Sequence, residues 1–301
     1  MSRKVRICTI SMNSIIHGGR SSKEDRFREA EGKMKLGALD KADLFLLPEI
    51  FLVNDVAGSS SDPANIELEG NETYQRLGAI ARSYNAYIAA PLLTRIDGIL
   101  HNSSVIFNRE GEPVFTYHKT FPTPGEMNSG ISPGTRTPQC FDTDFGRVGV
   151  AICYDLNFQP LFKHYYEQGI ELLLFSSYFP GGLLLQSWAY LYTFHAVSSH
   201  AQGHESVFVN NLGYIVARAN MFTQSLTHEF ELDSVVVPYW GNHEAARAVK
   251  EKYGPAVEMD IHRAEGDMIL RYLGTDTTAK EILQEFGIRT RAEVYKNEHL
   301  L

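Results

Sequence analysis

A layered α/β sandwich is the fold class this sequence predicts, and three observations predict it. Apolar strand-like runs alternate with helix-like segments through the first three-quarters of the 301 residues. Hairpin signals are interleaved with strand–helix units, so the sheets are mixed and not wholly parallel. Hydrophobic residues make up 44% and charged residues 21%, a globular balance with enough apolar side chains for a sizeable core.

The elements follow in chain order. Residues 5–10 read as the first strand. Residues 23–39 carry Phe27, Ala30, Met34 and Leu36 at helical spacing, with Ser21 or Ser22 as N-cap. A short apolar run, 44–47, precedes a helix over 69–84 with Tyr74, Leu77, Ile80 and Ala81 on one face. Strands are expected at 87–90, 103–108 and 114–118, the last two joined by a hairpin with Gly111 in its turn. A loop rich in Gly, Pro, Ser and Thr, 121–138, leads to a strand at 147–152, a helix near 160–168 and a very apolar strand at 172–175. Residues 206–210 and 214–219 flank Asn211-Leu212-Gly213 as the clearest hairpin, and 226–232 add one more strand. From Pro238 the composition turns charged and rich in Ala, Glu and Lys. Residues 1–237 are therefore expected to form the domain that carries the chemistry. Residues 238–301 are expected as a helical extension that could serve as an oligomerisation arm.

Charge excludes two classes of partner. The net charge is −8 with no dense Lys/Arg run, so neither nucleic acid nor an anionic membrane surface is expected. No apolar run approaches the roughly 20 residues a membrane-spanning helix needs. The N-terminus MSRKVRICTISMNS starts basic but continues polar where a signal peptide would be apolar, so a cytoplasmic protein is expected. Cys8, Cys140 and Cys153 cannot all pair, and their spacing matches neither a CxxC motif nor a zinc knuckle.

Three segments share one grammar, an apolar strand that ends in a reactive residue. They are Leu44-Phe45-Leu46-Leu47-Pro48-Glu49, Phe115-Thr116-Tyr117-His118-Lys119 and Val148-Gly149-Val150-Ala151-Ile152-Cys153. Ligands of α/β sheets gather beyond the carboxyl ends of strands. A carboxylate, an amine and a thiol at such ends are the base, oxyanion stabiliser and nucleophile of acyl transfer. Taken singly, each has an ordinary alternative: Glu49 and Lys119 as solvated surface charges, Cys153 as core filler, Glu126 as a loop residue.

Together these blocks resemble the nitrilase, or carbon–nitrogen hydrolase, superfamily. The resemblance runs through 44–51, through 117–126 with its second glutamate seven positions after the lysine, and above all through Arg-Val-Gly-Val-Ala-Ile-Cys-Tyr-Asp-Leu-Asn-Phe at 147–158. It covers roughly residues 4–233. It implies a four-layer α-β-β-α sandwich with a single catalytic domain, and association through helical faces as a homodimer or higher homo-oligomer. It also implies a Glu49–Lys119–Cys153 triad with Glu126 as an additional acidic residue. The implied activity is hydrolysis of a linear amide or N-carbamoyl compound through a thioester, without a cofactor, on a small-molecule substrate. A nitrilase or an acyltransferase would use the same thiol. The Tyr154 N–H would join Lys119 in holding the oxyanion, and the cation beside the sulfur would lower the thiol pKa.

The sequence departs from the family in two places. Asn157 stands where many members have Arg, and 178–202 lacks the common Arg-Ala-x-Glu-Asn pattern. Trp188-Ala189 and the Gly203 to Ser206 spacing are faintly similar to the vanin and biotinidase branch. Tyr154, Tyr178, Phe179 and Trp188 are candidate aromatic walls of the pocket, with His195 or His200 lining it. The i, i+4 and i+5 relations among His195, His200 and His204 could bring two of them together on a helix, but Gly203 and the Ser198-Ser199 pair argue for a loop there. The set is also too poor in acidic neighbours for a metal site, and none is expected.

Overall fold

From Ile7 onward strand β1 (Lys4–Ile10) is buried on both faces, and β2 (Leu44–Leu46) is so throughout. Val5, Ile7, Leu44 and Leu46 point into one core, while Cys8, Ile10 and Phe45 point into another. Such two-sided strands belong at the centre of a layered structure. The computed structural model describes residues 2–12, 21–53, 62–202, 205–220 and 222–297.

On one side of these strands lie α1 (Lys23–Leu39) and α2 (Glu72–Tyr84). Ser22 caps α1 through a reciprocal capping box with Asp25, and Phe27, Ala30 and Met34 face the sheet. Gly37 lets the helix settle on β1, because a Cβ there would stand 2.4 Å from the Cys8 sulfur. The sheet continues through β3 (Tyr87–Ile96), β4 (Ile99–Phe107) and β5 (Pro113–His118), and residues 141–142 form the short β6 (Phe141–Asp142) of a second sheet.

That second sheet is built from β7 (Arg147–Ile152), β8 (Leu172–Ser177) and β9 (His195–His200), which run parallel, followed by β10 (Val207–Val209) and β11 (Ile215–Arg218). The strand β12 (Ser225–Glu231) returns to pair antiparallel with β1. Among the described residues the first sheet has the order β12-β1-β2-β3-β4-β5 and the second β11-β10-β9-β8-β7-β6. Between them pack Val5, Ile7, Ile106, Val148, Val150, Leu174, Val197 and Phe208. Beyond α3 (Pro124–Asn128), the helices α4 (Gln159–Glu167) and α5 (Gly182–Tyr192) cover the outer face of the second sheet through Leu161, Phe162, Leu185 and Ala189. The layers are thus α-β-β-α, as expected.

Three local expectations need correction. The strands at 87–90 and 103–108 are longer, and they meet in a tight hairpin at Asp97-Gly98, where φ is +51° and +81°. Positive φ at both positions is the turn that Asp-Gly favours. The segment around Ser198-Ser199, expected as a loop, is the interior of β9; its hydroxyls are absorbed by cross-sheet bonds such as Ser199 Oγ to Ile10 O at 2.6 Å. The stretch beyond 238 is not helical throughout. It holds α6 (His243–Tyr253), β14 (Val257–His262), β15 (Asp267–Tyr272), α7 (Ala279–Glu285) and α8 (Arg291–Asn297). With β13 (Ser234–Pro238) the strands form an antiparallel sheet of order β13-β15-β14. Val236 and Ile269 join it to Leu212 and Tyr190, so this sheet is anchored on the flank of α5 and the β10–β11 turn. No helix among the described residues is long and apolar enough to cross a membrane.

Candidate active site

Strands β2, β5 and β7 deliver Glu49, Lys119 and Cys153 to one end of the sandwich, two from the first sheet and one from the second. Glu49 reaches the gap because β2 stops early. Leu47 N still donates to Ala89 O at 3.1 Å, but the next rung of the parallel ladder would need the N–H of residue 91, which is Pro91. The Leu47 carbonyl accepts instead from Ser176 Oγ of the other sheet at 2.7 Å. Released from its ladder, the chain turns at Pro48 and puts Glu49, only 3% exposed, between the sheets.

Lys119 follows β5 directly, and its N–H is held by Asn102 O at 2.8 Å. Its side chain is 1% exposed. The ammonium donates to Glu49 Oε1 at 2.7 Å and to both oxygens of Glu126 at 2.9 Å. Glu126 sits in α3, where a capping box with Thr123 fixes it: Thr123 N donates to Glu126 Oε2 at 2.7 Å. Burial alone would lower Lys119, but the two carboxylates more than offset it and hold the ammonium above its ordinary value. Burial pushes Glu126 the other way, and Lys119 with Asn102 wins, keeping this carboxyl below the usual range.

Cys153 opens the tight turn Cys153–Asn157 with φ at +49°, a conformation a residue with a side chain rarely adopts. The conformation is held by Asp155, which is fully buried and accepts from Ile152 N, Tyr117 OH and Phe121 N, each at 2.8 Å. One carboxylate therefore locks the cysteine turn to the strand end that bears Lys119. Burial pushes Asp155 up to about 6 against those three donors. Tyr178 N and the Ser177 hydroxyl donate toward the Cys153 sulfur. The expected fall in thiol pKa is not what the geometry produces. Burial first, and Glu49 second, push Cys153 up to about 12 in spite of Lys119. Two carboxylates surround one ammonium, so a thiolate here would be a further negative charge in a site that is already negative. Cys8 is also pushed up to about 12, by burial, so the shift alone does not mark a nucleophile.

Of the expected pocket residues, Tyr154 and Tyr178 neighbour Cys153 and Glu49. Tyr154 follows the cysteine and packs edge-on against Phe158, and Tyr178 N donates to Glu49 Oε2 at 3.2 Å. Trp188 does not line the pocket. It stacks on Phe162 under α5, and its Nε1 donates to Leu156 O at 2.8 Å, bracing the cysteine turn from behind. His195 is farther away still. It begins β9 in register with Leu172, at the opposite end of the parallel strands from Cys153, against Ser234 Oγ and the Phe230 ring. His200 closes the same strand, about 17 Å from His195 at the usual rise per residue. His195 and His200 therefore share a strand and not a helix face, and His204 lies outside the described residues.

Two residues escaped the sequence reading. Asn102 donates to Glu49 Oε1 at 2.9 Å and to Glu126 Oε1 at 2.8 Å. Its signal was the polar run Asn102-Ser103-Ser104 inside an otherwise apolar strand. Asp155 was read as part of the Cys-Tyr-Asp block without a role; a carboxylate two positions after a buried cysteine was the available clue.

A family model described as carbon-nitrogen hydrolase matches residues 6–247. The omega-amidase NIT2 of Homo sapiens is 28% identical over 229 residues, which cover 66% of this chain and 80% of that protein. Hydrolase C26A3.11 of Schizosaccharomyces pombe is 24% identical over 225 residues, 65% of this chain and 68% of that one. In structure the chain is similar to Saccharomyces cerevisiae Nit3, a member of branch 10 of the nitrilase superfamily, with a TM-score of 0.64 and 21% identity over 84% of this chain and 95% of the yeast one. An amidase from Nesterenkonia sp. gives a TM-score of 0.66 at 18% identity, over 76% of this chain and 91% of that one.

Proposed function

Because the chain belongs to the carbon–nitrogen hydrolase family, we propose that it hydrolyses a small linear amide or N-carbamoyl compound through a thioester on Cys153. The observation that carries this reading is the Lys119 ammonium clamped between Glu49 and Glu126 beside a cysteine held at positive φ. The amidase relatives support the amide class.

The site rests as thiol plus carboxylate, so the thiol is activated only as it reacts. Glu49 takes the Cys153 proton while sulfur adds to the carbonyl carbon. Lys119 has three N–H donors. One meets Glu49, one is shared by the two Glu126 oxygens, and the third is left for the developing oxyanion together with the Tyr154 N–H. Glu49 then passes its proton to the departing nitrogen, the C–N bond breaks, and the thioester remains. A water that gives its proton to Glu49 attacks the thioester carbon. The carbon–sulfur bond breaks, the acid leaves, and sulfur recovers the proton. Glu126 keeps the ammonium in place through both halves.

Ammonia or amine release from a panel of amides, N-carbamoyl amino acids and nitriles tests the substrate class, with amides or N-carbamoyl compounds expected to turn over. Cys153→Ala is expected to abolish turnover in a folded protein, while Cys8→Ala and Cys140→Ala keep it. Mass spectrometry of enzyme quenched during turnover should find the acyl mass on the Cys153 peptide. An acyl adduct on Cys8 or Cys140 instead would refute the assignment.

A further inference from the structure

The Asn102 side chain stands on β4, 1% exposed, and carries no charge. Its NH2 group spends both hydrogens on carboxylates, Glu49 Oε1 at 2.9 Å and Glu126 Oε1 at 2.8 Å. Those two oxygens are also the ones that accept from Lys119 Nζ, at 2.7 and 2.9 Å. Ammonium, Oε1, amide and Oε1 close a ring in which donors and acceptors alternate. The network also fixes which way the amide faces, since the flipped form would set its oxygen against two carboxylates. The orientation leaves Asn102 Oδ1 buried without a hydrogen-bond partner among the described residues, a cost that is accepted only because the nitrogen is needed where it is.

The ring divides the two oxygens of Glu49. Oε1 holds two donors, one of them charged, and is a poor place for a proton. Oε2 accepts from Tyr178 N, the same N–H that donates toward the Cys153 sulfur, so this oxygen faces the nucleophile. We propose that Asn102 is a positioning residue that makes Oε2 of Glu49 the atom that takes and returns the proton, and that holds Glu49 and Glu126 together around one ammonium. The inference rests on the Glu49 proton shuttle described above. An amide suits the task better than a second cation would. It offsets the repulsion between the carboxylates by donating to both, yet adds no positive charge that would weaken Glu49 as a base.

The test uses two variants of the full chain, beside the unmodified enzyme and Cys153→Ala. Asn102→Leu keeps the branched outline and removes the donors. It should lower kcat by about 10- to 100-fold with KM within about threefold, and move the acid limb of kcat/KM up by about one pH unit, because the carboxylates lose a donor that favours their charged form. Asn102→Asp keeps the shape and substitutes a third carboxylate for the donors. It should lose more activity than Asn102→Leu at pH 8 and recover part of it toward acid, where a protonated Asp can donate one hydrogen bond again. Circular dichroism and thermal melting confirm the fold, and Asn102→Asp serves if Asn102→Leu does not fold. Unchanged kcat in Asn102→Leu, or a fall in kcat with an unmoved acid limb, would overturn the proposal, as would an Asn102→Asp enzyme with the pH profile of the unmodified one. Turnover surviving in Cys153→Ala would instead refute the thiol chemistry itself. With Cys153→Ala inert and the Asn102 variants normal in profile, the role of Asn102 alone falls.

Discussion

Two buried ion pairs in this molecule are nearly indistinguishable by distance and burial. Lys119 and Glu49 meet at 2.7 Å with side chains 1% and 4% exposed; Arg291 and Asp267 meet at 2.7 Å with side chains 1% and 4% exposed. The first lies at the mouth of the two sheets, the second under the C-terminal sheet. Their surroundings differ. Arg291 has one carboxylate; its guanidinium also donates to the Tyr190 carbonyl and lies over the Tyr190 ring at 4.3 Å, while its Nε is buried without a hydrogen-bond partner among the described residues. Its charge is balanced by a single carboxylate. Lys119 has two carboxylates, an amide that serves both, and a thiol whose sulfur feels its charge. Its charge is unbalanced, two carboxylates to one ammonium. What marks a site is therefore charge imbalance beside a strained nucleophile, and burial of an ion pair by itself marks nothing.

The largest expected effects set these pairs against each other. Lys119→Met should cost at least about a thousandfold in kcat/KM, because it removes the proposed oxyanion donor and disrupts residues proposed to act as a unit. Arg291→Met should leave the activity of folded molecules close to normal and cost about 3–5 kcal/mol of stability, since it strands the Asp267 carboxylate in the interior. Adding Asp267→Leu to it should restore much of that loss. Activity per folded molecule, with urea unfolding beside it, checks both. An Arg291 variant that loses its kcat without losing stability would erase the contrast.

A double-mutant cycle sharpens the first half of the comparison. Lys119→Met and Glu49→Gln should each be severe, and together hardly worse than the worse of the two, because proton transfer and oxyanion stabilisation fail as one. Fully additive losses in the hydrolysis rate would make them separate features.

The site was legible in the sequence for a reason the C-terminal pair shows by contrast. Glu49, Lys119 and Cys153 each end an apolar strand, and a polar residue at a sharp change of pattern stands out without coordinates. Arg291 and Asp267 sit in segments of mixed polarity. The half-exposed pattern of β14, with Glu258 and Asp260 outward, hid the strands that bury Asp267, and the segment read as helix. Asp97-Gly98 is a hairpin signal in the sequence, but Pro91 follows Ala90 and interrupts the strand pattern that leads to it. What the sequence could not show was which side of a strand end a residue faces. Trp188 and His195 are aromatic or titratable residues in the right stretch, and only the parallel register of β8 and β9 sends His195 to the far end. The sign of the Cys153 shift was also hidden, since it depends on burial outweighing a cation that is present.

A smaller effect concerns how the mouth of the sandwich is held open. Ser176→Ala strips the Leu47 carbonyl of its cross-sheet donor, which should cost about 1–3 kcal/mol for an unsatisfied buried acceptor. Because Leu47 lies two residues before Glu49, kcat should fall as well, by about tenfold, when the carboxylate loses its fixed position. Ser199→Ala removes a matching tie one strand further along the sheet, Ser199 Oγ to Ile10 O at 2.6 Å, which does not touch the chain that leads to Glu49. It should lose similar stability while kcat holds. Equal kcat losses in the two variants would show that general loosening of the sandwich, and not the path of β2, accounts for the change.

The smallest expected effect is a pH dependence of opposite sign at the two pairs. Glu126 is held below its ordinary value although burial pushes it up, because Lys119 and Asn102 favour its charge. A carboxyl lowered by folding contributes stability above its unfolded pKa of about 4.3, and that contribution is lost as pH falls through the folded value. Asp267 is held above its ordinary value, because burial outweighs the single guanidinium of Arg291. Its contribution is fully present below the unfolded pKa of about 3.9 and is lost as pH rises through the folded value. Urea unfolding of the unmodified protein, Glu126→Gln and Asp267→Asn between pH 3.5 and 7 separates the two. The stability difference between the unmodified protein and Glu126→Gln should grow with rising pH, and the difference for Asp267→Asn should shrink. Each substitution also carries a constant offset from its lost bonds, so the slopes and not the levels are diagnostic. Slopes of the same sign would mean that both pairs face the same electrostatic balance, and charge imbalance would no longer distinguish the site from the structural pair.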